Sequence, residues 1–248
     1  MRVKRSRTRV LGCERIGRSV VGVVLCLFML LVTPLFASPS IVIGIAGASG
    51  SGKTTLARNL KRHLGNDVEI IGQDSYYKGI SCLSTDKGKS LNFDIPSSIE
   101  FELLHAHLVD LKAGKTIKQP IYDFTTHSRT DETTSINPKK IFIVEGSLIL
   151  AIPEIRDMCD IKLFIDVDID ICLCRRIERD QVERGRQFHE IRDQYLHTVR
   201  PMFFKYVAPS KLYADLIVPN LEEGNSDEIL EFISAKLSHM IHASIPHE

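Results

Sequence analysis

The sequence predicts an α/β fold of three layers, a parallel sheet held between helices, and three observations predict it. Apolar runs read as strands at Ile41 to Ala46, Val68 to Gly72, Lys140 to Gly146, Ile161 to Val167 and Leu216 to Val218. Segments with helical spacing separate them, and strands that alternate with helices build a parallel sheet. The length of 248 residues, with 44% hydrophobic and 25% charged residues, suits one larger α/β domain with a short appendage. In such a sheet the ligand site lies at the C-terminal ends of the strands.

The appendage is residues 1–39. Residues 1–19 hold Arg2, Lys4, Arg5, Arg7, Arg9, Arg15 and Arg18 against Glu14 alone, and Val20 to Ala37 is almost wholly apolar. A basic region before an apolar run resembles a signal peptide or anchor. The run is slightly short for a span of about 20 residues, and Pro34 breaks it. Leu35-Phe36-Ala37 is a poor cleavage site, and insertion would carry the rest of the chain outside. Three readings stay open: a start further on, for instance at Met29, a membrane anchor, or a cleaved signal. The domain proper is 40–248. Without residues 1–19 its acidic residues outnumber the basic ones, which argues against a nucleic-acid surface. Cys13, Cys26, Cys82, Cys159, Cys172 and Cys174 form no C-x-x-C pair and read as reduced thiols of a cytoplasmic protein.

The first strand leads into Gly47-Ala48-Ser49-Gly50-Ser51-Gly52-Lys53-Thr54-Thr55, then Leu56 to Leu64 with helical spacing. This fits G-x-x-x-x-G-K-[ST] in the strand–loop–helix setting the pattern requires. Glycines let successive N–H groups curl around a phosphate, and the helix N-terminus adds positive potential. Lys53 can reach the β- and γ-phosphates, and the Thr54 hydroxyl can ligate Mg²⁺. A plain Gly/Ser turn would need neither the lysine nor the hydroxyl. The expectation is a P-loop NTPase-type fold that binds a nucleoside triphosphate.

After Gly65-Asn66 ends that helix, the second strand delivers Asp74 at its C-terminal end. A carboxylate there can take the proton of an attacking hydroxyl, although aspartates in such places are more often turn or cap residues. Gly79 to Lys89 reads as loop. Ile99, Leu103, Leu104 and Leu108 mark a helix ending near Gly114. Thr116 to Pro138 reads as strand and turn, too polar for core and too aromatic for a linker.

Glu145 closes the next strand and can ligate Mg²⁺, directly or through water; the following Gly146 would permit close approach of a ligand. Asp166 ends a similar strand and competes for that role. Arg175, Arg176, Arg179, Arg184, Arg186 and Arg192 cluster next. A helical arginine face is usually solvated or paired, here with Glu178, Asp180 and Glu183. The break at Arg184-Gly185-Arg186 instead suits a lid closing over phosphates. A helix around Gln194 to Tyr206 is interrupted at Pro201, and Asp227 to Met240 reads as the last helix.

Several stretches together resemble the uridine–cytidine kinases. They are Asp74-Ser75-Tyr76-Tyr77, Asn92-Phe93-Asp94-x-Pro96, Pro120-x-Tyr122-Asp123-Phe124-x-x-His127-Ser128-Arg129, Arg176-x-x-Arg179-Asp180-x-x-x-Arg184-Gly185-Arg186, Gln194-Tyr195 and Tyr213-Ala214-Asp215. The resemblance covers about residues 40–240. It implies phosphorylation of the 5′-hydroxyl of uridine or cytidine with ATP or GTP and Mg²⁺, a small β-rich nucleoside-binding insertion, an Arg-rich lid, and a homo-oligomer, a tetramer. Carried over by position, Asp74 would be the base, with Thr54 and Glu145 around Mg²⁺. Asp94 and Arg176 would hold the ribose hydroxyls beside Gln194, and Tyr122 and His127 would face the base edge. Phe93, Phe124 and Tyr77 would wall the base, and Arg179, Arg184 and Arg186 would form the lid.

Ile95-Pro96-Ser97-Ser98 departs from the family's H-P-D-A, which touches a helix cap. Asn220 to Asn225 departs where relatives approach adenine, which leaves the donor open. Other kinases of this fold, such as phosphoribulokinase or pantothenate kinase, would not need the Tyr122/Phe124/His127 arrangement. A GTPase switch would need N-K-x-D and D-x-x-G motifs that the chain lacks. A catalytically weak, membrane-tethered nucleotide-binding module is the third alternative; the intact Lys53, Thr54 and Asp74 speak against lost catalysis, while the N-terminus keeps tethering open.

Overall fold

Strand β1 (Ile41–Gly47) is buried along its whole length, and its side chains divide by period two between two cores. Val42 and Ala46 pack on one face of the sheet, while Ile41, Ile43 and Ile45 pack on the other. Both faces are therefore covered, the condition under which strands are apolar at every position. The computed structural model describes residues 40–79, 92–219 and 226–243. The expectations for residues 1–39, for most of the 79–89 loop and for Asn220 to Asn225 lie outside the described residues.

The sheet contains β2 (Val68–Gly72), β5 (Ile141–Glu145), β1, β6 (Ile161–Asp166) and β7 (Leu216–Pro219), in that order. Every neighbouring pair is parallel. One helical layer has α1 (Lys53–Leu64) and α8 (Ser226–Ala243), which bury Leu56, Leu60, Leu230, Ile233 and Leu237 with Cys172. The opposite layer is led by α2 (Phe101–Lys112), which buries Phe101, Leu104, Leu108 and Leu111. Among the described residues no helix is long and apolar enough to cross a membrane.

A hairpin of β3 (Ile117–Asp123) and β4 (Ser128–Ile136) forms a separate two-stranded antiparallel sheet. Next come α3 (Pro153–Arg156) and α4 (Ile169–Val182), then α5 (Phe188–Gln194). The expected interruption at Pro201 is not a break. The helix continues through π-helical Tyr195–Val199, α6 (Arg200–Met202), π-helical Phe203–Val207 and α7 (Ala208–Ser210). A proline removes a helical N–H and crowds the preceding turn. Here π-helical turns flank the proline on either side, and the backbone stays helical through it.

Cys159 and Cys172 are buried free thiols, and Cys174 is an exposed one. Cys159 fills the space over Gly44, where an added Cβ would lie 2.6 Å from its sulfur.

Candidate active site

The parallel register brings three chemical groups to one edge of the sheet. Ile45 of β1 and Gly72 of β2 both align with Glu145 of β5. The phosphate loop therefore leaves β1 beside Glu145, and the 3₁₀ turn Gln73–Tyr76, carrying Asp74, leaves β2 on the other side. The loop's glycines have structural reasons. Gly50 has φ +86°, and an added Cβ would lie 2.3 Å from the Cys172 carbonyl of α4, so the loop packs directly on that helix. Gly52, with φ +96°, is the N-cap of α1, whose first turn has no acidic residue to occupy its N–H groups. Gly47, Ala48 and Ser51 complete the curl, and the Ser51 N–H donates to the Ala48 carbonyl at 3.1 Å. Thr55 is exposed on α1, away from the cleft lining.

Lys53 folds back so that Nζ donates to the Ala48 carbonyl at 2.8 Å. Burial lowers its pKa, and the Glu145 and Asp74 carboxylates work the other way. The Thr54 hydroxyl donates to Glu145 Oε1 at 2.9 Å. Burial raises the Glu145 pKa, with Lys53 the main opposing charge. A hydroxyl and a carboxylate meeting at the end of the loop form the hard-oxygen set that suits Mg²⁺. The competing carboxylate lies elsewhere: Asp166 pairs with Lys211 and is not part of the cleft lining.

Gly146 lines the cleft and also makes room behind it. An added Cβ would lie 2.3 Å from Gln73 Cβ and 2.5 Å from its Oε1. The missing side chain makes room for the buried Gln73, whose Oε1 accepts the Leu148 N–H at 2.8 Å. Gln73 immediately precedes Asp74, so this packing fixes the turn that carries the carboxylate. Among the described residues, none hydrogen-bonds the Asp74 carboxylate, which faces the cleft.

Asp94 accepts the Thr198 hydroxyl at 2.9 Å. Its pKa is raised by burial, against the pull of Arg176. The departure at Ser98 acts on the same loop: its hydroxyl donates to the carbonyls of Phe93 and Ile95 at 2.7 and 2.6 Å. Arg176 is 6% exposed and donates to Ser49 Oγ and Gln194 Oε1, each at 2.9 Å. Arg186 reaches the same Gln194 oxygen at 2.6 Å. Gln194 thus joins two arginines from either side of the Gly185 turn.

The hairpin supplies an aromatic pocket. Tyr77 and Tyr122 lie 5.2 Å apart between ring centroids, and Tyr122 and Phe124 5.1 Å apart. Tyr77 also meets Phe93 and Phe124 edge-on, each at 6.4 Å. Phe93 stacks on His127 at 4.9 Å and 20°. His127 has φ +50°, a left-handed backbone that a non-glycine residue adopts only when its surroundings hold it there. Burial lowers its pKa, and Arg186 and Arg184 push it further down. The imidazole is therefore neutral at pH 7 and can donate or accept. The Tyr122 hydroxyl is buried and has no hydrogen-bond partner among the described residues. Burial and Asp74 push its pKa up to about 12, so it stays a protonated donor. Arg184 closes the pocket from the lid side, its guanidinium carbon 4.1 Å from the Phe124 ring centroid.

One cleft of about 860 Å³, open mouth included, collects these groups. Lys53, Thr54, Asp74, Glu145, Tyr77, Phe93, Asp94, Tyr122, Phe124, His127, Arg176, Arg179, Arg184, Arg186 and Gln194 all line it. Three residues with no expected role in the site support it. Arg129 is cross-strand from Tyr122 and donates to the Tyr76 and Tyr77 carbonyls at 2.8 Å each while pairing with Glu100. It ties the hairpin to the turn that carries Asp74. Thr198 fixes Asp94, and nothing local in the sequence signals that link across 104 positions. Asp180, expected only as a surface partner of the arginines, is fully buried among them.

Residues 42–226 match the model of the phosphoribulokinase / uridine kinase family. The chain belongs to that family. A uridine kinase from Brevibacillus brevis is 45% identical over 202 residues, which cover 81% of this chain and 94% of that protein. A uridine kinase from Shewanella pealeana is 43% identical over 206 residues, 81% of this chain and 97% of that one. In fold, the chain is similar to the phosphoribulokinase of Rhodobacter spheroides. The TM-score is 0.57 at 15% identity, over 77% of this chain and 74% of that one. Beside the five-stranded sheet, the separate β3–β4 hairpin adds Tyr122, Phe124 and His127 to the cleft that holds the phosphate loop.

Proposed function

We propose that the protein transfers the γ-phosphoryl group of ATP or GTP to the 5′-hydroxyl of uridine and cytidine, forming UMP and CMP. One observation carries the reading: a single cleft joins the phosphate loop and Asp74 to an aromatic pocket with a two-residue polar edge. The relatives named uridine kinases, which match the chain over four-fifths of its length, support a uridine acceptor.

The loop N–H groups and Lys53 hold the β- and γ-phosphates, Lys53 leaving the Ala48 carbonyl as it turns to them. Mg²⁺ held at Thr54 and Glu145 would offset charge on the phosphates. Tyr77, Phe93 and Phe124 enclose the base, with Tyr122 and His127 at its edge, and Asp94 accepts from the ribose hydroxyls beside Arg176 and Gln194. Asp74 takes the 5′-hydroxyl proton as that oxygen bonds to the γ-phosphorus. The bond from phosphorus to the β-bridging oxygen breaks, and the nucleoside diphosphate leaves. Arg179 and Arg184 neutralise the charge spread over the transferring group.

Phosphoryl transfer by the purified protein, measured with each common nucleoside and with ATP and GTP in turn, tests the reading. The expected result is turnover of uridine and cytidine and none of adenosine or guanosine. Turnover of a non-nucleoside hydroxyl with none of either pyrimidine would overturn it.

A further inference from the structure

Asp180 sits on α4 one turn after Arg176 and one turn before Arg184. Its side chain is 0% exposed, and its surroundings are guanidinium groups. The two carboxylate oxygens divide them. Oδ1 accepts from Arg179 at 2.8 and 3.0 Å and lies 3.3 Å from Arg184 Nη1. Oδ2 lies 3.5 Å from Arg186 Nη1 and 3.7 Å from Arg176 Nε. The first pair is the one that faces the triphosphate in the reading above. The second pair holds Gln194 and, through Arg176, Ser49 of the phosphate loop. The Asp180 carbonyl also accepts the Arg186 N–H at 3.1 Å, which closes the chain around Gly185.

We propose that Asp180 is the positioning residue of this cleft: one buried carboxylate aims four arginines, one oxygen for the pair on the phosphates and one for the pair on the nucleoside. The assignment of each pair to a substrate rests on the proposed phosphoryl transfer; the division of the arginines is geometric. Four like charges on one short segment repel one another, and a single fixed counter-charge both offsets that repulsion and sets their directions. Burial pushes the Asp180 pKa up, but Arg176, Arg179 and Arg184 overcome this and hold it below the ordinary carboxylate range. The carboxylate is therefore charged throughout the neutral range.

The substitution Asp180→Asn keeps the shape, removes the charge and turns one acceptor into a donor that faces a pair of arginines. Two opposite changes are expected together. The uncompensated arginines should take up a polyanion more readily, so tripolyphosphate should raise the melting temperature of the variant by more than that of the wild type. Because the arginines are no longer aimed, kcat should fall by about 10²-fold, the scale of a misplaced catalytic constellation, and the KM for uridine should rise. A merely structural aspartate would lower stability without enlarging the tripolyphosphate effect. Equal tripolyphosphate shifts, or wild-type kcat in the variant, would overturn the proposal. If the variant does not fold alone, it should be recovered by refolding in tripolyphosphate and not in sodium chloride of equal ionic strength. Failure of both would make Asp180 a packing element and also overturn the proposal. The thermal experiment uses no nucleoside, so it stands or falls apart from the substrate assignment, which the wild-type nucleoside panel decides.

Discussion

The substitution Gly146→Ala adds a single methyl group to the wall of the cleft, and the structure sets its consequence. The new Cβ would lie 2.3 Å from Gln73 Cβ. No rotamer of Gln73 moves its own Cβ, so the backbone of the Gln73–Tyr76 turn or of β5 must shift. Gln73 is 1% exposed, and its Oε1 satisfies the buried Leu148 N–H at 2.8 Å. Overpacking costs about 1–3 kcal/mol, and an orphaned buried N–H costs about 1–3 kcal/mol more. For a domain of this size the sum, about 2–6 kcal/mol, lowers the melting temperature by roughly 4–24 °C. The same shift moves Asp74, and a displacement of about 1 Å can cost about 10²-fold in rate. Gly72→Ala is the matched control: its Cβ would meet nothing nearer than Glu145 Oε1 at 3.9 Å, and φ is −82°. Thermal melts and kcat of both variants test the reasoning. A Gly146→Ala protein with wild-type melting temperature and kcat would show that Gln73 does not pin the turn.

The substitution Asp74→Asn should leave nucleotide and uridine affinity nearly unchanged and cut kcat by about 10²–10⁴-fold, the scale of a lost general base; steady-state and binding measurements separate the two. His127→Ala should raise the KM for uridine and cytidine by roughly one to two orders of magnitude through lost buried hydrogen bonds, with the KM for ATP unchanged. The third prediction concerns pH. Because the His127 pKa is lowered from 6.5, the neutral ring persists below that value. Protonation at still lower pH removes its acceptor, which the cytidine amino group needs and the uridine carbonyl does not. The ratio of cytidine to uridine kcat/KM should therefore fall with acidification, with its midpoint below pH 6.5 and at the pH where the His127 ring is seen to protonate by NMR; a ratio that stays flat through that protonation would remove His127 from base reading.

The strands and the phosphate loop were legible because their signals are local. The β1 run and the spacing from Gly47 to Thr54 lie within fifteen residues, and the loop depends only on glycine conformations and a helix start. The helix after Gln194 was read less well, because Pro201 is a breaker by its own chemistry, and only the widened turns around it show how the helix passes. Asp166 and Glu145 looked alike as carboxylates at strand ends. What separates them is strand order: β5 lies between β1 and β2, beside Thr54 and Asp74, whereas β6 faces β7 and Lys211. No spacing in the sequence states that order.

The site residues that escaped the sequence act on other residues, and their identity follows from that. Gln73, Thr198, Arg129 and Asp180 each meet a group that has to be held still: a turn, the Asp94 carboxylate, two carbonyls and a cluster of arginines. Partners of this kind lie far apart in the chain, except for Asp180, which stands four residues from both Arg176 and Arg184. That spacing was visible, but at a helix surface it means a weak, solvent-screened pair worth a few tenths of a kcal/mol. Burial reverses the meaning. Packing Gly50 directly onto the Cys172 carbonyl brings the phosphate loop down on α4, and Arg176 is held under it by Ser49. Asp180 is itself wholly buried, so water cannot screen its charge, which is met by the arginines that also line the cleft. An aspartate at ordinary helical spacing thereby becomes the shared counter-ion of four arginines that line the cleft.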